Sequence, residues 1–245
     1  MAEKRGGVAV ALDVSFNFKA LREQVYDFLK EEMAAGRLCP GQMINIREMS
    51  ARLGISRTPL RDALFELQGE GFVLFHPRRG VEVRGLTADE IAHAYQVLGA
   101  LESSVILQDF GRIGGNCMAR LEAVNAETAM VLREGLYERY WELNRRFHET
   151  LLSVSENDLL LGLADRLRKR LYDFPARRRF TPRWASRSLE EHRELVAFLA
   201  RGDRQGAALY MAEVHWNYER QKTLVEEFYF ASPEEKEASR QERGA

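Results

Sequence analysis

The chain has 245 residues, of which 45% are hydrophobic and 30% charged, and its formal net charge is −1. These values are typical of a globular protein with one large or two modest domains, and they exclude indiscriminate nucleic-acid binding through a broad basic surface. The apolar runs are far too short to cross a bilayer, and the N-terminus does not resemble a signal peptide. Cys39 and Cys117 indicate neither a disulfide framework nor a thiolate metal site. We therefore expect a cytoplasmic protein without membrane contact.

The first third of the chain predicts three helices followed by a two-stranded hairpin. Asn45 and Glu48 resemble a capping box for the second helix, and Ser56 can cap the third. Alternating β-formers flank the basic sequence HPRRG, which predicts a hairpin with a basic tip. The predicted elements are helices over 18–35, 45–53 and 56–70 and a hairpin over 72–85. This order predicts a winged helix-turn-helix.

Two arginines, Arg57 and Arg61, bracket the first turn of the third helix, where the helix dipole disfavours positive charge. The first turn of a recognition helix points into the major groove, where arginine binds guanine or phosphate. The alternative is a solvated basic helix end. In the helix-turn-helix order, DNA contact is favoured, and the candidate contacts are Arg47, Arg57, Thr58, Arg61, Arg78, Arg79 and Gly80.

The stretch INIREMSARLGISRTPLRDALFELQGEGFV resembles the DNA-binding domain of the GntR family of bacterial transcription regulators. It matches the family pattern [VI]SRTP[LV]R.AL..L..EG[LF]V nearly residue for residue. The resemblance implies that Arg47, Arg57 and Arg61 contact the operator, with Thr58 and the Gly80 wing beside them. Since one short recognition helix contacts few bases, we expect a homodimer on a palindromic, double-stranded operator.

After Gly85 the sequence is helical throughout. Thr87 and Glu90 form a second capping box. Five further periodic segments cover about 117–133, 136–153, 158–174, 187–201 and 204–229. Six helices with short connections predict an antiparallel α-helical bundle, so the fold class is mainly α. The predicted organisation is a flexible N-terminus (1–17), a winged helix-turn-helix domain (18–85), an all-helical effector-binding and dimerisation domain (86–230) and a flexible tail (231–245).

Three of the five histidines lie on inward faces of separate predicted helices: His148, His192 and His215. Asn144 precedes His148 by four residues and therefore shares its helix face. A bundle core that receives ligands from facing helices can hold a divalent metal, and three imidazoles suit zinc, nickel or another late first-row ion. The alternative is three separate core histidines, each bonded to a neighbouring polar group.

The sequences LNRRFH and EHRELVAFLARGD, followed by His215, resemble the all-helical ligand-binding domain of the FadR-like subgroup of the GntR family. The resemblance implies a divalent metal at Asn144, His148, His192 and His215 that helps to hold a small carboxylate effector. Asn144 stands where the subgroup commonly has aspartate. A neutral amide donates less charge to the ion, and members with altered ligand sets can bind an organic effector without metal.

Two other functions compete with effector sensing. In a metal sensor, the ion itself would be the signal. A helical metalloenzyme would need a general base, and no H-E-x-x-H motif supplies one, because Glu149 and Glu213 point away from the ligand faces. The arginine-rich sequence FPARRRFTPRW, residues 174–184, predicts a solvated loop or an attractor for an anionic effector.

Overall fold

The computed structural model describes residues 18–172 and 182–230. The two predicted flexible ends and nearly all of the arginine-rich sequence lie outside these ranges. The described chain is mainly helical, with one small sheet, so the predicted fold class is confirmed. None of the described helices is long and apolar enough to traverse a bilayer.

The N-terminal elements form a winged helix-turn-helix. Helix α1 packs against α3 through a core that includes Val25, Leu29 and Leu64. The turn between α2 and α3 is made by Gly54, Ile55 and Ser56. The elements are α1 (Phe18–Ala34), β1 (Met43–Ile44), α2 (Ile46–Leu53), α3 (Arg57–Gly69), β2 (Val73–His76) and β3 (Gly80–Val83).

The predicted hairpin is present, but a strand that the sequence did not predict extends it to three strands. Strand β3 pairs antiparallel with β2 on one side and with β1 on the other. A two-residue strand is too short to show alternation, which is why β1 was missed. Gly80 begins β3 with φ +113°, and a Cβ there would lie 2.9 Å from the Ile44 carbonyl oxygen. The close approach of β1 therefore requires glycine at this position.

The helix caps differ partly from the prediction. The Asn45 side chain accepts hydrogen bonds from the backbone amides of Arg47 and Glu48, so it caps α2. Its own amide donates to Glu48 Oε1 at 3.0 Å, whereas a capping box would have Glu48 bond the Asn45 backbone. Ser56 occupies the N-cap position of α3 but makes no side-chain capping bond. The capping box of Thr87 and Glu90 is confirmed.

The C-terminal elements form a helical bundle around α4. Helix α4 packs against α6, α7, α9 and α10, and α5 packs against α6 and α8. These contacts enclose a second hydrophobic core, which is separate from the first. The helices are α4 (Ala88–Gln108), α5 (Gly115–Arg133), α6 (Tyr140–Leu152), α7 (Asp158–Tyr172), α8 (Pro182–Ala200), α9 (Arg204–Tyr210) and α10 (Tyr218–Tyr229).

The segment 204–229, predicted as one helix, is broken in the structure. After α9 the chain forms a π-helical turn, Met211–His215, and Asn217 starts α10 by accepting a hydrogen bond from the Arg220 amide. The cap at Asn217 therefore starts a new helix, although the apolar residues keep the spacing of one continuous helix. Gly99 on α4 faces this turn, and a Cβ there would lie 3.1 Å from Trp216 Cβ. The absence of a side chain lets the two backbones approach closely.

Helix α7 reaches from the bundle to the winged helix-turn-helix. Arg170 Nη2 donates to the Gly85 carbonyl oxygen at 2.9 Å. The same guanidinium lies 5.6 Å from the centre of the Phe72 ring, near the start of the wing. One arginine thus joins the bundle to both the wing and the segment that leads into α4.

Candidate functional site

Helix α3 and the wing face each other across a groove of about 560 Å³. The first turn of α3 supplies Arg57, and the next turn supplies Arg61. The turn between β2 and β3 supplies Arg78, whose φ is +64°. Three guanidinium groups on one groove form a positive surface that matches the phosphates and base edges of a duplex.

The seven predicted DNA contacts lie on neighbouring elements of this surface. All six side chains among them are exposed. Arg57, Arg61, Arg78 and Gly80 line the groove itself. Arg47, Thr58 and Arg79 are each adjacent in sequence to a lining residue but do not line the groove.

An aromatic pair on the groove was not predicted from the sequence. The rings of Phe65 and Phe75 stack with centroids 4.5 Å apart and planes 15° apart. The Arg61 guanidinium carbon lies 5.2 Å from the Phe65 ring centre, within cation–π distance. Phe65 is 45% exposed. In the sequence, this pair is indicated only by Phe65, a large apolar residue on the otherwise polar face of the recognition helix.

The second candidate site is a histidine cluster in the bundle core. His148 lies on α6, His192 on α8 and His215 at the end of the π-helical turn. Their relative exposures are 0%, 3% and 9%. One nitrogen of each ring lies within 4.8 Å of the others. The bundle therefore brings together the three histidines that the sequence predicts as ligands.

Two buried carboxylates lie within hydrogen-bond distance of the outer nitrogens of this cluster, which are Nδ1 of His148 and Nδ1 of His215. Glu102 Oε2 lies 2.8 Å from His148 Nδ1 and accepts a hydrogen bond from Trp216 Nε1 at 3.0 Å. Glu191 Oε2 lies 3.0 Å from His215 Nδ1. Burial alone would raise the pKa of each carboxyl, but the facing histidine and the other donors hold both pKa values below the ordinary range. Both glutamates are therefore ionised at neutral pH.

The ionised glutamates determine which way the imidazoles face. A carboxylate accepts a hydrogen bond, so His148 and His215 each donate Nδ1–H outward to a glutamate and turn Nε2 inward. Those two Nε2 atoms are 3.3 Å apart. His192 Nε2 has no hydrogen-bond partner among the described residues. Burial lowers the pKa of His192 and of His148, so both rings stay neutral at neutral pH.

The geometry of the cluster fits a divalent metal. Zinc–nitrogen bonds of about 2.0–2.1 Å in a tetrahedral site separate two nitrogen ligands by about 3.3–3.4 Å, which matches His148 and His215. The nitrogens of all three histidines lie within 4.8 Å of one another, which is wider than this spacing, so one imidazole would have to move inward to bind the ion. Three buried imidazole nitrogens that converge in this way are the type of donor that such an ion prefers.

Asn144 lies beside the cluster and is already hydrogen bonded. Its Oδ1 accepts from Tyr140 Oη at 3.3 Å and from Ser188 Oγ at 3.2 Å. Together with His215 it lines a cavity of about 10 Å³, the space of one water molecule. To bind an ion, the Asn144 carbonyl would have to give up one of these two bonds.

Comparison with known families agrees with both halves of this architecture. Residues 21–83 match the family model described as bacterial regulatory proteins, gntR family, and residues 93–215 match the FCD domain. The chain belongs to the GntR family. It is a transcription regulator with an FCD domain, and members of this family are regulators of transcription and not enzymes. The resemblance noted in the sequence is thereby confirmed.

Individual relatives of this GntR regulator span most of its length. The chain is 30% identical over 195 residues to the Nta operon transcriptional regulator of Aminobacter aminovorans, covering 74% of this chain and 84% of the relative. It is 25% identical over 207 residues to the uncharacterised regulator YdhC of Bacillus subtilis, covering 83% and 92%. The solved structure of E. coli McbR/YncC shares the fold, with a TM-score of 0.64, 20% identity and coverage of 84% and 96%.

Sequence reasoning missed the two glutamates that face the histidines of this regulator. Glu102 lies four residues after Leu98 and three before Val105, inside the apolar stripe of α4, and an acid in such a stripe signals a buried partner. Glu191 directly precedes His192, and the sequence around it does not indicate a buried partner. Glu149, which the sequence placed off the ligand face, pairs with Arg145 at the surface.

Proposed function

We propose that this GntR regulator binds a palindromic operator as a homodimer in the cytoplasm and senses a small carboxylate metabolite through a bound divalent ion, zinc or nickel. The DNA would be contacted by Arg47, Arg57, Thr58, Arg61, Arg78, Arg79 and Gly80. The ion would be held by Asn144, His148, His192 and His215. The observation that carries the sensing role is the convergence of three buried imidazoles, two of which bond a carboxylate through their outer nitrogen.

The groove between α3 and the wing supports the DNA-binding half of the proposal. Its arginines belong to the recognition helix and to the wing tip, the two elements with which a winged helix-turn-helix touches a duplex. Arg57 and Arg61 have exposed side chains, and a polyanion outside the molecule would offset their position at the positive end of a helix dipole.

The buried carboxylates support the metal-binding half. A bound ion would withdraw electron density from the imidazoles, and hydrogen bonds from Nδ1 to Glu102 and Glu191 would compensate by raising ligand basicity. Effector binding would then shift the population between two orientations of the DNA-binding domain about the junction at 85–87.

The experiment uses the full chain purified without chelator. We expect elemental analysis to find one divalent ion per chain, and the wild type to enrich a palindromic sequence from a random duplex pool. His192→Ala should lower the amount of bound metal, because it removes one ligand. Its affinity for the selected duplex in the absence of effector should be unchanged. His93→Ala is the matched control, since His93 is exposed on α4. Full metal content in His192→Ala would contradict the site.

A second candidate is a regulator for which the ion itself is the signal. The cavity beside the histidines has the volume of one water, which suits an ion more readily than an organic molecule. In that case affinity for the selected duplex follows zinc concentration in the chelator-treated protein. Effector sensing instead predicts a response to added organic acid at constant zinc.

A further inference from the structure

A buried arginine beside the histidine cluster has donors that the described residues do not use. Arg168 on α7 is 5% exposed, and its Nε and Nη1 atoms have no hydrogen-bond partner among the described residues. Nη1 lies 3.6 Å from Glu102 Oε1, which is beyond hydrogen-bond distance for this pair. Glu102 Oε1 likewise has no hydrogen-bond partner in the described structure. The Arg168 guanidinium and the Glu102 carboxylate therefore face each other without a hydrogen bond between Nη1 and Oε1.

The charges around the cluster leave no anion to offset a bound divalent ion. Glu102 faces Arg168, and Glu191 accepts a hydrogen bond from Arg187 Nε at 3.0 Å, so each carboxylate already has a cation beside it. The proposed ligands, one amide and three imidazoles, bring no negative charge. The ion would therefore bring two positive charges into a buried region, which an incoming anion would offset.

Arg168 lies close to the histidine cluster. One oxygen of Glu102 bonds His148, and the other faces Arg168, so a single carboxylate separates the guanidinium from the cluster. Tyr172, one turn further along α7, lines the cavity beside the histidines and hydrogen bonds to Asn144. Helix α7 therefore borders this cavity through Tyr172, one turn from Arg168.

We propose that Arg168 binds a carboxylate group of the effector, which is a small organic acid with a second oxygen donor directed at the metal. This assignment rests on the proposed sensing function. The effector carboxylate accepts hydrogen bonds from Nε and Nη1 of Arg168. Since the cavity has the volume of one water, uptake of the acid moves the aromatic side chains that line it.

The test uses tryptophan fluorescence of the zinc-loaded full chain, because all three tryptophans line this cavity. The probes are malonate and succinate, with acetate as a monocarboxylate. We expect at least one dicarboxylate to change the wild-type fluorescence saturably. Arg168→Met should need a concentration at least about tenfold higher, because a buried charge partner is lost. Arg168→Lys, which keeps the charge, should lie between the two.

Arg166→Met is the matched control, because Arg166 is exposed on the same helix. It should behave as the wild type. Equal affinity in Arg168→Met and wild type, or no fluorescence change with any probe, would overturn the assignment while metal content and operator binding remain intact. Loss of zinc from the wild type, measured by elemental analysis of the same samples, would instead overturn the metal site and the assignment with it.

Discussion

Glu102 and Glu191 each accept a hydrogen bond from the Nδ1 atom of a histidine whose Nε2 faces the shared centre. At the scale of single residues, this arrangement bears on the neutral amide of Asn144. The nearest carboxylates, on these two glutamates, lie one hydrogen bond further out, and each already has an arginine beside it. Such outer carboxylates fix the tautomer and increase the basicity of the ligands.

The buried histidines give the protein a defined dependence of stability on pH. The pKa values of His148 and His192 are lowered in the folded state, mainly by burial, whereas in the unfolded chain they lie near 6.5. Below about pH 6.5 the unfolded state binds more protons, so the free energy of unfolding falls as pH falls. Each histidine contributes a slope of up to about 1.4 kcal/mol per pH unit. The midpoints of urea unfolding of the chelator-treated protein at pH 7 and pH 5.5 measure this loss of stability, and the midpoint should be lower at pH 5.5.

The matched variant for this measurement is His93→Ala, which should lose stability with acid as steeply as the wild type, since His93 is exposed. His192→Phe, which cannot take up a proton, should show a shallower dependence. Equal midpoints at the two pH values in the wild type would contradict the prediction.

The sequence predicted the three histidines because each lies on an apolar stripe of a helix, and a stripe is a local pattern. It could not predict their carboxylate partners, because Glu102 and His148 are 46 residues apart and meet only through the packing of α4 on α6. The break between α9 and α10 was missed for a related reason. A π-helical turn leaves the apolar spacing nearly helical, while the cap at Asn217 decides where the chain restarts.

At the scale of elements, α7 connects the two parts of the protein. Arg170 lies on a different face of this helix from Arg168 and donates to the Gly85 carbonyl oxygen beside Phe72. Burial lowers the pKa of Arg170 to about 10, so the guanidinium remains charged at neutral pH. A charged donor to a backbone carbonyl in a buried position contributes more than an ordinary hydrogen bond.

Arg170→Met should therefore loosen the contact between the bundle and the winged helix-turn-helix. We expect the DNA-binding elements to lose about 1.5–3 kcal/mol of stability, because a hydrogen bond from a charged group is removed. Urea unfolding followed by circular dichroism reports both parts, whereas tryptophan fluorescence reports only the bundle, where all three tryptophans lie. In the variant the dichroism transition should begin at lower urea than the fluorescence transition.

Asp165→Ala serves as the reference for this measurement, because it alters a partly exposed ion pair with Lys169 on the same helix. Its two transitions should remain as in the wild type. If Arg170→Met also left both transitions unchanged, Arg170 would not hold the two parts together.

At the scale of the whole molecule, DNA affinity depends on both protomers of the proposed dimer at once. Each substitution is present twice on the operator. Arg79 lies at the wing tip and Arg61 on the recognition helix, so the first is expected to bind phosphate and the second a base edge. Salt dependence separates these roles, because only neutralised phosphates release counterions.

Arg79→Ala should reduce the slope of log affinity against log salt by about 2 for the dimer, since each lost phosphate contact removes about 0.9. Arg61→Ala should lower affinity for the selected palindrome by about 1–3 kcal/mol per half-site and relax base preference at one position of each half-site. Binding titrations over a salt series measure both. Arg133→Ala, an exposed arginine at the end of α5, is the comparison. Identical salt slopes for Arg79→Ala and Arg133→Ala would exclude phosphate binding by the wing.

The close approach at Gly99 has a mechanical consequence. Because α4 meets the π-helical turn nearly backbone to backbone, no side chain lies between Gly99 and Ala212 that could absorb a displacement of the turn. If a bound ion drew His215 and this turn inward, we would expect α4 to shift with them. The first residue of α4, Ala88, is three residues from Gly85, so such a shift would reach the segment that leads from the DNA-binding domain.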